Sequence, residues 1–319
     1  MTLKIAIQCS SLGQRCGIFT YSKRLEKYLN DVKDVKAYLF AERARNNPDV
    51  ISLQYEPGLM SPQLLNVLIQ RYHQPIVVTA HHIGQLPSFY HMLDGIVFHS
   101  KTQILGDPWN YRIITHPAMV FKEKGKENMR KKYDLPLDKK IIGTAGFIAG
   151  TGKDLPNMVK HILKNLNEDE FLYCITSYWK GGDFGFEESI RNTVKKLGKE
   201  NNFRMDTDFV SEETLNEKMQ ACDLLFTWNV STTPGGSSGV AMDMIGSRRK
   251  VIVKDAPHYA SAASIEGVEV GRQDQKDFAE DVLKLLREGD LNNVPDPTPY
   301  SWENLIHEYV DYFKEILGE

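Results

Sequence analysis

The chain has 319 residues, of which 41% are hydrophobic and 25% are charged. This composition is typical of a soluble globular protein and excludes a disordered, collagen-like or coiled-coil chain. At roughly 100–200 residues per domain, the length predicts two domains. No long apolar segment opens the chain, and no stretch is apolar enough for a membrane helix. Four cysteines do not make a disulfide framework, so we expect a cytoplasmic protein.

The net charge of -3 conceals an uneven distribution. Residues 1–140 contain 20 Lys and Arg against 12 Asp and Glu, whereas residues 141–319 contain 19 against 30. Six basic side chains lie close together in one segment: Lys122, Lys124, Lys126, Arg130, Lys131 and Lys132. A basic half favours an anionic ligand or surface. The alternative is a solvated charge bias without a role.

The first 120 residues predict alternating strands and helices. Leu3–Gln8 is a short apolar run, a turn-rich loop follows, and apolar residues at helical spacing begin at Ile18. Four more apolar runs predict strands: 50–55, 75–80, 95–98 and 112–114. Strands that alternate with helices indicate βαβ units and a mostly parallel sheet.

After the charged segment 121–140 the pattern begins again. Five further runs predict strands: 141–144, 171–176, 203–205, 223–227 and 251–253, with helical runs between them. The last stretch, 300–319, is an amphipathic helix. We therefore divide the chain into a first α/β domain (1–120), a linker (121–140), a second α/β domain (141–299) and a closing helix (300–319).

Two glycine-rich loops follow predicted strands of the second domain. The segment TTPGGSSGVAMDM runs from a strand into a helix, and backbone N–H groups at such a place favour a phosphate or diphosphate. Lys153 ends the loop GFIAGTGK, where an ammonium group can neutralise a leaving phosphate. Each loop alone is also compatible with a solvated surface loop.

Polar side chains also follow strands of the first domain, where open α/β sheets bind ligands. Glu56, His81 and His116 are such residues. The pair His81–His82 does not have the spacing of a zinc site. The Asp206–Asp208 pair is a weak metal motif beside a helix that we expect Ser211 to cap, so we expect no bound metal.

Several segments together resemble one family. In their order and spacing, six segments are similar to segments of GT4-type retaining glycosyltransferases (glycosyltransferase group 1). They are GIFTYSKRL, DVISLQYEPG, PIVVTAHH, IIGTAGFIAGTGKDL, FVSEETLNEKMQACDLLFTW and YSWENLIHEYVDYF. The resemblance covers nearly the whole chain. It implies the GT-B fold, in which two Rossmann-like α/β domains face a central cleft and the closing helix returns to the first domain.

The resemblance also implies roles for individual residues. His81 and Lys153 would be catalytic, and Glu56 and His116 would lie on the acceptor or sugar side. The donor, a nucleotide-diphosphate sugar, would be bound by Gly17, Phe209, Val210, Ser237, Ser238, Gly239, Val240 and Asp243. No cofactor or divalent metal would be required. Phe209 and Val210 would lie near the base, and Asp243 would hold the ribose.

The chain departs from the family pattern at three places. Gly235 stands where the family has the first of two glutamates, and Asp243 stands at the second. No basic residue precedes Lys153 in its loop. The first domain is short, which predicts that one strand and one helix are missing.

The sequence thus predicts sugar transfer to an acceptor hydroxyl with retention of configuration, in glycan or glycolipid biosynthesis. The basic first half predicts an anionic acceptor. We expect a lipid-linked glycan at the inner membrane face rather than a nucleic acid. Three alternatives stay open: a nucleotide-sugar epimerase, a nucleic-acid-modifying glycosyltransferase and a non-catalytic subunit.

Overall fold

The computed structural model describes residues 2–44, 47–148, 150–178, 185–230 and 236–319. For Gly150 and Thr151 it describes the backbone only. The chain forms two compact units. Unit 1 comprises Met1–Pro117, Thr233–Ser237 and Pro299–Glu319. Unit 2 comprises Ala118–Thr232 and Ser238–Thr298. Each is a Rossmann-like α/β unit, which confirms the predicted fold class.

Unit 1 contains a parallel sheet of six strands. Its elements are β1 (Leu3–Gln8), α1 (Gly17–Asp31), β2 (Val35–Phe40), β3 (Val50–Tyr55), α2 (Pro62–Arg71), β4 (Ile76–Ala80), β5 (Gly95–Phe98) and β6 (Tyr111–Ile113). The strand order is β2-β1-β3-β4-β5-β6. Every residue of β3, β4 and β5 is buried, as expected for a parallel sheet covered on both faces.

Strand β2 corrects one sequence prediction. The short first domain was predicted to lack a strand and a helix, but β2 is present and pairs with β1 along its whole length. The apolar side chains of Val35, Ala37 and Phe40 are buried. Lys36 interrupts the apolar run, which explains why the sequence did not reveal it. In the described part of 41–49 no helix follows β2.

Unit 2 contains a second parallel sheet of six strands. Its elements are α3 (Lys126–Lys132), β7 (Lys140–Ile148), α4 (Gly150–Lys153), α5 (Leu155–Lys164), β8 (Glu170–Tyr178), α6 (Gly185–Leu197), β9 (Phe203–Asp206), α7 (Glu212–Gln220), β10 (Leu224–Thr227), α8 (Gly239–Gly246), β11 (Lys250–Lys254), α9 (Ala260–Ala263), β12 (Val268–Gly271) and α10 (Gln275–Glu288). The order β12-β11-β10-β7-β8-β9 is that of a Rossmann fold. Sequence analysis did not predict β12 or α10.

Local sequence explains where several helices begin. Ser61 caps α2 by accepting a hydrogen bond from Leu64 N, and Pro62 occupies the first turn. Ser211 caps α7 through Thr214 N, which confirms the predicted cap. Glu212 and Glu213 follow in the first turn of α7, where the helix dipole favours negative charge.

Helix α11 (Trp302–Ile316) belongs to unit 1, although the chain reaches it only after unit 2. Trp302, Tyr309 and Phe313 are completely buried on its apolar face. The hydroxyl groups of Tyr309 and Tyr21 form a hydrogen bond with each other. The hydroxyl of Tyr312 accepts a hydrogen bond of 3.0 Å from Ile96 N, at the start of β5. The last 20 or so residues are therefore an integral part of unit 1's core.

Among the described residues, no helix has both the length and the apolar character needed to span a membrane.

Candidate functional site

The strand order of unit 2 reverses between β7 and β10, and ligands of open α/β sheets bind at such a switch point. Two helices begin at the carboxyl ends of these strands. The short helix α4 follows β7 and ends at Lys153, and α8 follows β10. A hydrogen bond of 2.8 Å from Val230 N to Gly152 O connects the two loops. The loop that ends at Lys153 therefore contacts the chain segment that follows β10.

Lys153 is partly buried and has no carboxylate partner among the described residues. Its Nζ donates one hydrogen bond of 3.3 Å, to the carbonyl of Ala145. Burial lowers the pKa of Lys153 from 10.5 to about 8. A cation with one neutral partner is costly to bury, so the arrangement suits an anionic ligand that supplies the missing charge.

Gly146 makes room for this ammonium group. Its φ is +120°, and a Cβ atom there would lie 2.4 Å from Lys153 Nζ and 3.6 Å from Val240 Cγ2. A larger residue would displace the lysine as well as strain the backbone. The same contacts show that Lys153 lies close to the first turn of α8.

The start of α8 is suited to an anion. Ser238 caps it by accepting a hydrogen bond of 3.3 Å from Ala241 N, and its first turn has no acidic residue. The backbone N–H groups of Gly239 and Val240 have no partner within the helix, because the first four N–H groups of any α-helix lack one. Together with the helix dipole they favour a phosphate group.

The other residues predicted to bind the sugar donor differ in burial and in the unit to which they belong. Asp243 lies partly buried on α8, one turn after Gly239. Ser237 belongs to unit 1, whereas Ser238 belongs to unit 2. The hydroxyl of Ser237 is buried without a hydrogen-bond partner among the described residues. Gly235, where the family has its first glutamate, lies outside the described residues.

Phe209 follows β9 and is 46% exposed. Its ring stacks on that of Phe147 with a centroid distance of 6.2 Å and an interplanar angle of 9°. Val210 is partly buried beside it. Sequence analysis singled out Phe209 but not Phe147, because their stacking depends on how β7 and β9 are arranged in the sheet. A flat exposed ring at a sheet edge suits the stacking of a nucleobase.

Unit 1 has its own switch point, between β1 and β3. Gly17, the exposed first residue of α1, follows β1, and Glu56 follows β3. Burial raises the pKa of the Glu56 carboxyl group, although the nearby imidazole of His82 partly offsets the effect. His82 also accepts a hydrogen bond of 3.2 Å from Gly84 N.

His81 lies in a buried cluster of aromatic rings, with 7% of its surface exposed. Its ring contacts that of Tyr21 edge-on at 4.5 Å. His99 lies 5.5 Å from His81 and 4.9 Å from His116, measured between ring centroids. Trp302 of α11 packs against Tyr21 at 5.0 Å. The structure thus brings together the two predicted histidines, and adds Tyr21, His99 and Trp302, which sequence analysis missed.

Burial holds the imidazoles of His81 and His99 in the neutral form. It lowers the pKa of His81 well below 6.5, and the neighbouring His99 and His116 lower it further. The pKa of His99 falls to about 3 by burial and by the proximity of His116. Within the described part of the chain, no group of His, Cys, Asp and Glu has the arrangement of a metal site.

Asp206, the first residue of the Asp206–Asp208 motif, has a structural role. Asp206 accepts hydrogen bonds from Lys218 Nζ at 2.6 Å, Arg204 Nε at 2.9 Å and Tyr173 Oη at 2.5 Å. Its carboxylate therefore joins β9 to β8 and α7.

The predicted basic surface is corrected by the structure. The segment 121–140, interpreted as a linker with a short helix, lies in unit 2, and α3 is that helix. Its basic side chains pair with acidic groups of the same unit: Lys124 and Lys132 with Glu217, Lys126 and Arg130 with Asp223. Unit 1 itself has 13 Lys and Arg against 13 Asp and Glu. The charge argument for an anionic acceptor is therefore weaker, because five of the six basic side chains pair with carboxylates and the cluster is not in unit 1, and the anionic acceptor stays a prediction.

Comparison with known proteins supports the fold. No protein-family model matches the chain, and no curated protein matches it. Among solved structures, a glycosyltransferase from Rickettsia africae is 15% identical with a TM-score of 0.72, covering 99% of each chain. Sucrose-phosphate synthase from Thermosynechococcus elongatus is 12% identical with a TM-score of 0.75, covering 99% of each chain.

A third similar structure is HepE of Anabaena in complex with UDP and glucose. It is 11% identical with a TM-score of 0.68 and covers 99% of this chain and 98% of its own. The two Rossmann-like units of this protein are thus those of the GT-B class of glycosyltransferase folds.

Proposed function

We propose that the protein is a glycosyltransferase that uses a nucleoside diphosphate sugar as donor. The observation that carries this proposal is the position of Lys153. It is a partly buried ammonium group without a described carboxylate partner, close to the start of α8, at the switch point of a Rossmann-like sheet. A diphosphate is the natural ligand for that combination of charge and helix terminus.

The other groups of unit 2 fit the remaining parts of a nucleotide. We assign Phe209, supported by Phe147, to stacking on the base, with Val210 beside it. We assign Asp243 to the ribose hydroxyls and Ser238–Val240 to the diphosphate. HepE binds UDP and UDP-glucose, and a trehalose-6-phosphate structure from E. coli binds UDP-2-fluoro glucose, so UDP is the nucleotide we propose first.

Unit 1 supplies the groups for the sugar and the acceptor in this proposal, namely Gly17, Glu56, His81 and His116. The bond between the anomeric carbon and the diphosphate oxygen breaks, the acceptor oxygen bonds to that carbon on the same face, and the diphosphate takes the acceptor's proton. Lys153 stabilises the negative charge that develops on the diphosphate. We propose retention of configuration without an obligatory metal. The proposal that the acceptor is anionic has no support from the charge of unit 1.

Calorimetric titration with UDP tests the nucleotide site directly. Lys153→Ala should weaken UDP binding about 10- to 100-fold, because a charge-assisted hydrogen bond contributes about 1.5–3 kcal/mol. Lys160→Ala is the matched control, since Lys160 is exposed on the adjacent helix α5. Equal UDP affinity in the Lys153 variant and the parent protein would remove Lys153 from the site.

A further inference from the structure

Lys254, the last residue of β11, is a buried lysine, with 2% of its surface exposed. Its Nζ atom donates a hydrogen bond of 2.8 Å to the carbonyl oxygen of Asn229 and lies 3.5 Å from that of Val230. The same atom lies 4.4 Å from the centroid of the Trp228 ring, in a cation–π contact. Within the described part of the chain no carboxylate pairs with it, so these partners are all neutral.

The register of two neighbouring strands brings these groups together. Thr227 of β10 pairs with Val253 of β11, so Lys254 lies beside Trp228, the first residue after β10. Burial lowers the pKa of Lys254 below its ordinary 10.5, because the ammonium form is costly to bury. Apolar residues of similar volume often replace buried ions without loss of stability. What a lysine adds at this place is a charged donor to the chain that leaves β10.

One peptide group connects Lys254 to the loop of Lys153. The carbonyl of Asn229 and the N–H of Val230 belong to the same peptide group, which is planar and trans, so the two bonds point in opposite directions. The carbonyl accepts from Lys254, and the N–H donates a hydrogen bond of 2.8 Å to the carbonyl of Gly152, which directly precedes Lys153. A cation at the carbonyl also polarises the peptide group and strengthens the bond from its N–H. Orienting the carbonyl therefore also orients the N–H toward the loop.

We propose that Lys254 is a positioning residue that orients the peptide group between Asn229 and Val230, and thereby holds the loop of Lys153 in place for the diphosphate of the donor. Lys254 itself makes no contact with the ligand in this role. The part that concerns the diphosphate rests on the proposed function, whereas the orientation of the peptide group is a property of the protein alone.

Hydrogen exchange of the Val230 amide tests the orientation of the peptide group without any ligand. Lys254→Met keeps an unbranched side chain of similar volume but has no donor. We expect the Val230 amide to exchange about 10-fold faster in this variant, because its hydrogen bond to Gly152 is weakened. Nitrogen-15 NMR of the amide groups measures the rate. The same exchange rate in the variant and the parent protein would overturn the proposal.

Calorimetry with UDP tests whether the effect reaches Lys153. Lys254→Met should weaken UDP binding about 3- to 10-fold in the parent protein, and by less than about 2-fold in Lys153→Ala, where no ammonium group is left to position. A fall in stability alone leaves the affinity of the folded protein unchanged, so only a positioning role predicts this dependence on Lys153. Equal losses in the two backgrounds would contradict it.

Lys250→Met is the matched control, because Lys250 is a buried lysine at the other end of the same strand. It is 1% exposed, and its Nζ atom donates to the Glu269 carboxylate at 2.8 Å and to the carbonyl of Gly267 at 3.0 Å. This variant should lose stability, but its Val230 exchange and its UDP affinity should be those of the parent protein. If Lys250→Met weakens UDP binding as much as Lys254→Met, the effect is one of general packing and the proposal fails.

A second variant removes the link from its other end. Val230→Pro has no N–H to donate, and the side chain of Val230 is 43% exposed, so the core is untouched. It should weaken UDP binding as Lys254→Met does, and it replaces that variant if Lys254→Met does not fold. Unchanged UDP affinity in Val230→Pro would overturn the proposal. If UDP does not bind the parent protein, the proposed function fails, and the exchange of the Val230 amide still decides the role of Lys254.

Discussion

The buried ammonium group of Lys153 lowers the free energy of unfolding of the unliganded protein. Its pKa in the folded state is about 8, below the ordinary 10.5, so the unfolded chain binds its proton more tightly. The cost of burying the ammonium form is fully present below about pH 8 and disappears as the pH rises to 10.5. Groups placed for ligand binding often reduce the stability of the unliganded protein in this way.

Lys153→Met should therefore stabilise the unliganded protein. At pH 7 we expect its free energy of unfolding to rise by about 1–2 kcal/mol, a fraction of what the pKa shift allows for a partly buried group. The gain should shrink at pH 9.5, where the parent lysine is mostly neutral. Urea denaturation at both pH values measures this, with Lys160→Met as the exposed control. A variant less stable than the parent at pH 7 would contradict the account.

The affinity for UDP should depend on pH through the same residue. A bound diphosphate stabilises the ammonium form, so binding is strongest below the pKa of Lys153, about 8, and weakens above it. We expect the UDP dissociation constant to rise several-fold between pH 7.5 and pH 9.5. Calorimetry across this range should show a much flatter dependence for Lys153→Ala. The same slope in both proteins would assign the effect to another group.

At the scale of elements, the sequence revealed more about local structure than about side-chain partners. Periodicity and the Ser211 cap predicted α7 correctly, because a cap and an amphipathic face are local properties. The sequence predicted the loop of Lys153 and the loop before α8 as two separate features. It did not predict their contact, because that contact depends on the adjacency of β7 and β10. The hydrogen bond between Lys254 and Asn229 was not predicted, because it depends on the register of β10 and β11.

Helices α3 and α7 are joined by a buried carboxylate, that of Glu217. Burial alone would raise its pKa, but hydrogen bonds from Lys124, Lys132 and Tyr133 outweigh burial and lower the pKa to about 2. The stabilisation is therefore present above the unfolded pKa of 4.5 and is lost as the pH falls through the folded value of about 2.

Glu217→Gln should lower the free energy of unfolding by about 1–3 kcal/mol at pH 7, because the three donors lose a charged acceptor. The loss should become smaller toward pH 2, where the parent carboxylate also becomes protonated. Denaturation at pH 7, 4 and 2.5 measures the difference. Glu213→Gln, an exposed partner of Lys124, should change the stability by less than about 1 kcal/mol. Equal effects of the two substitutions would argue against the buried network.

The closing helix α11 stabilises unit 1 through large buried side chains. Trp302→Ala should lower the free energy of unfolding by about 3–5 kcal/mol, as for other buried tryptophans. His307→Ala, on the exposed face of the same helix, should change it by about 0.5 kcal/mol or less. Urea denaturation followed by tryptophan fluorescence and circular dichroism tests both. A small effect of Trp302→Ala would mean that unit 1 does not depend on α11.

At the scale of the whole molecule, the distribution of charged residues along the chain did not predict the net charge of each unit. The basic half seen in the sequence is divided by the structure, which assigns 118–140 to unit 2 and the acidic last helix to unit 1. Unit 1 then has equal numbers of acidic and basic residues. The sequence alone did not predict this, because it depends on which segments fold together.

The central claim is tested most directly by phosphorus-31 and proton NMR of UDP-sugars incubated with the protein and a defined panel of neutral and anionic glycoside acceptors, because the anomeric proton reports the configuration of the product. We expect UDP to appear together with a glycosylated acceptor that has the anomeric configuration of the donor, and Lys153→Ala should reduce the rate about 10²–10³-fold. Interconversion of UDP-sugars without any acceptor would instead show an epimerase. Tight UDP binding with no transfer to any acceptor of the panel would contradict the account and indicate a non-catalytic subunit.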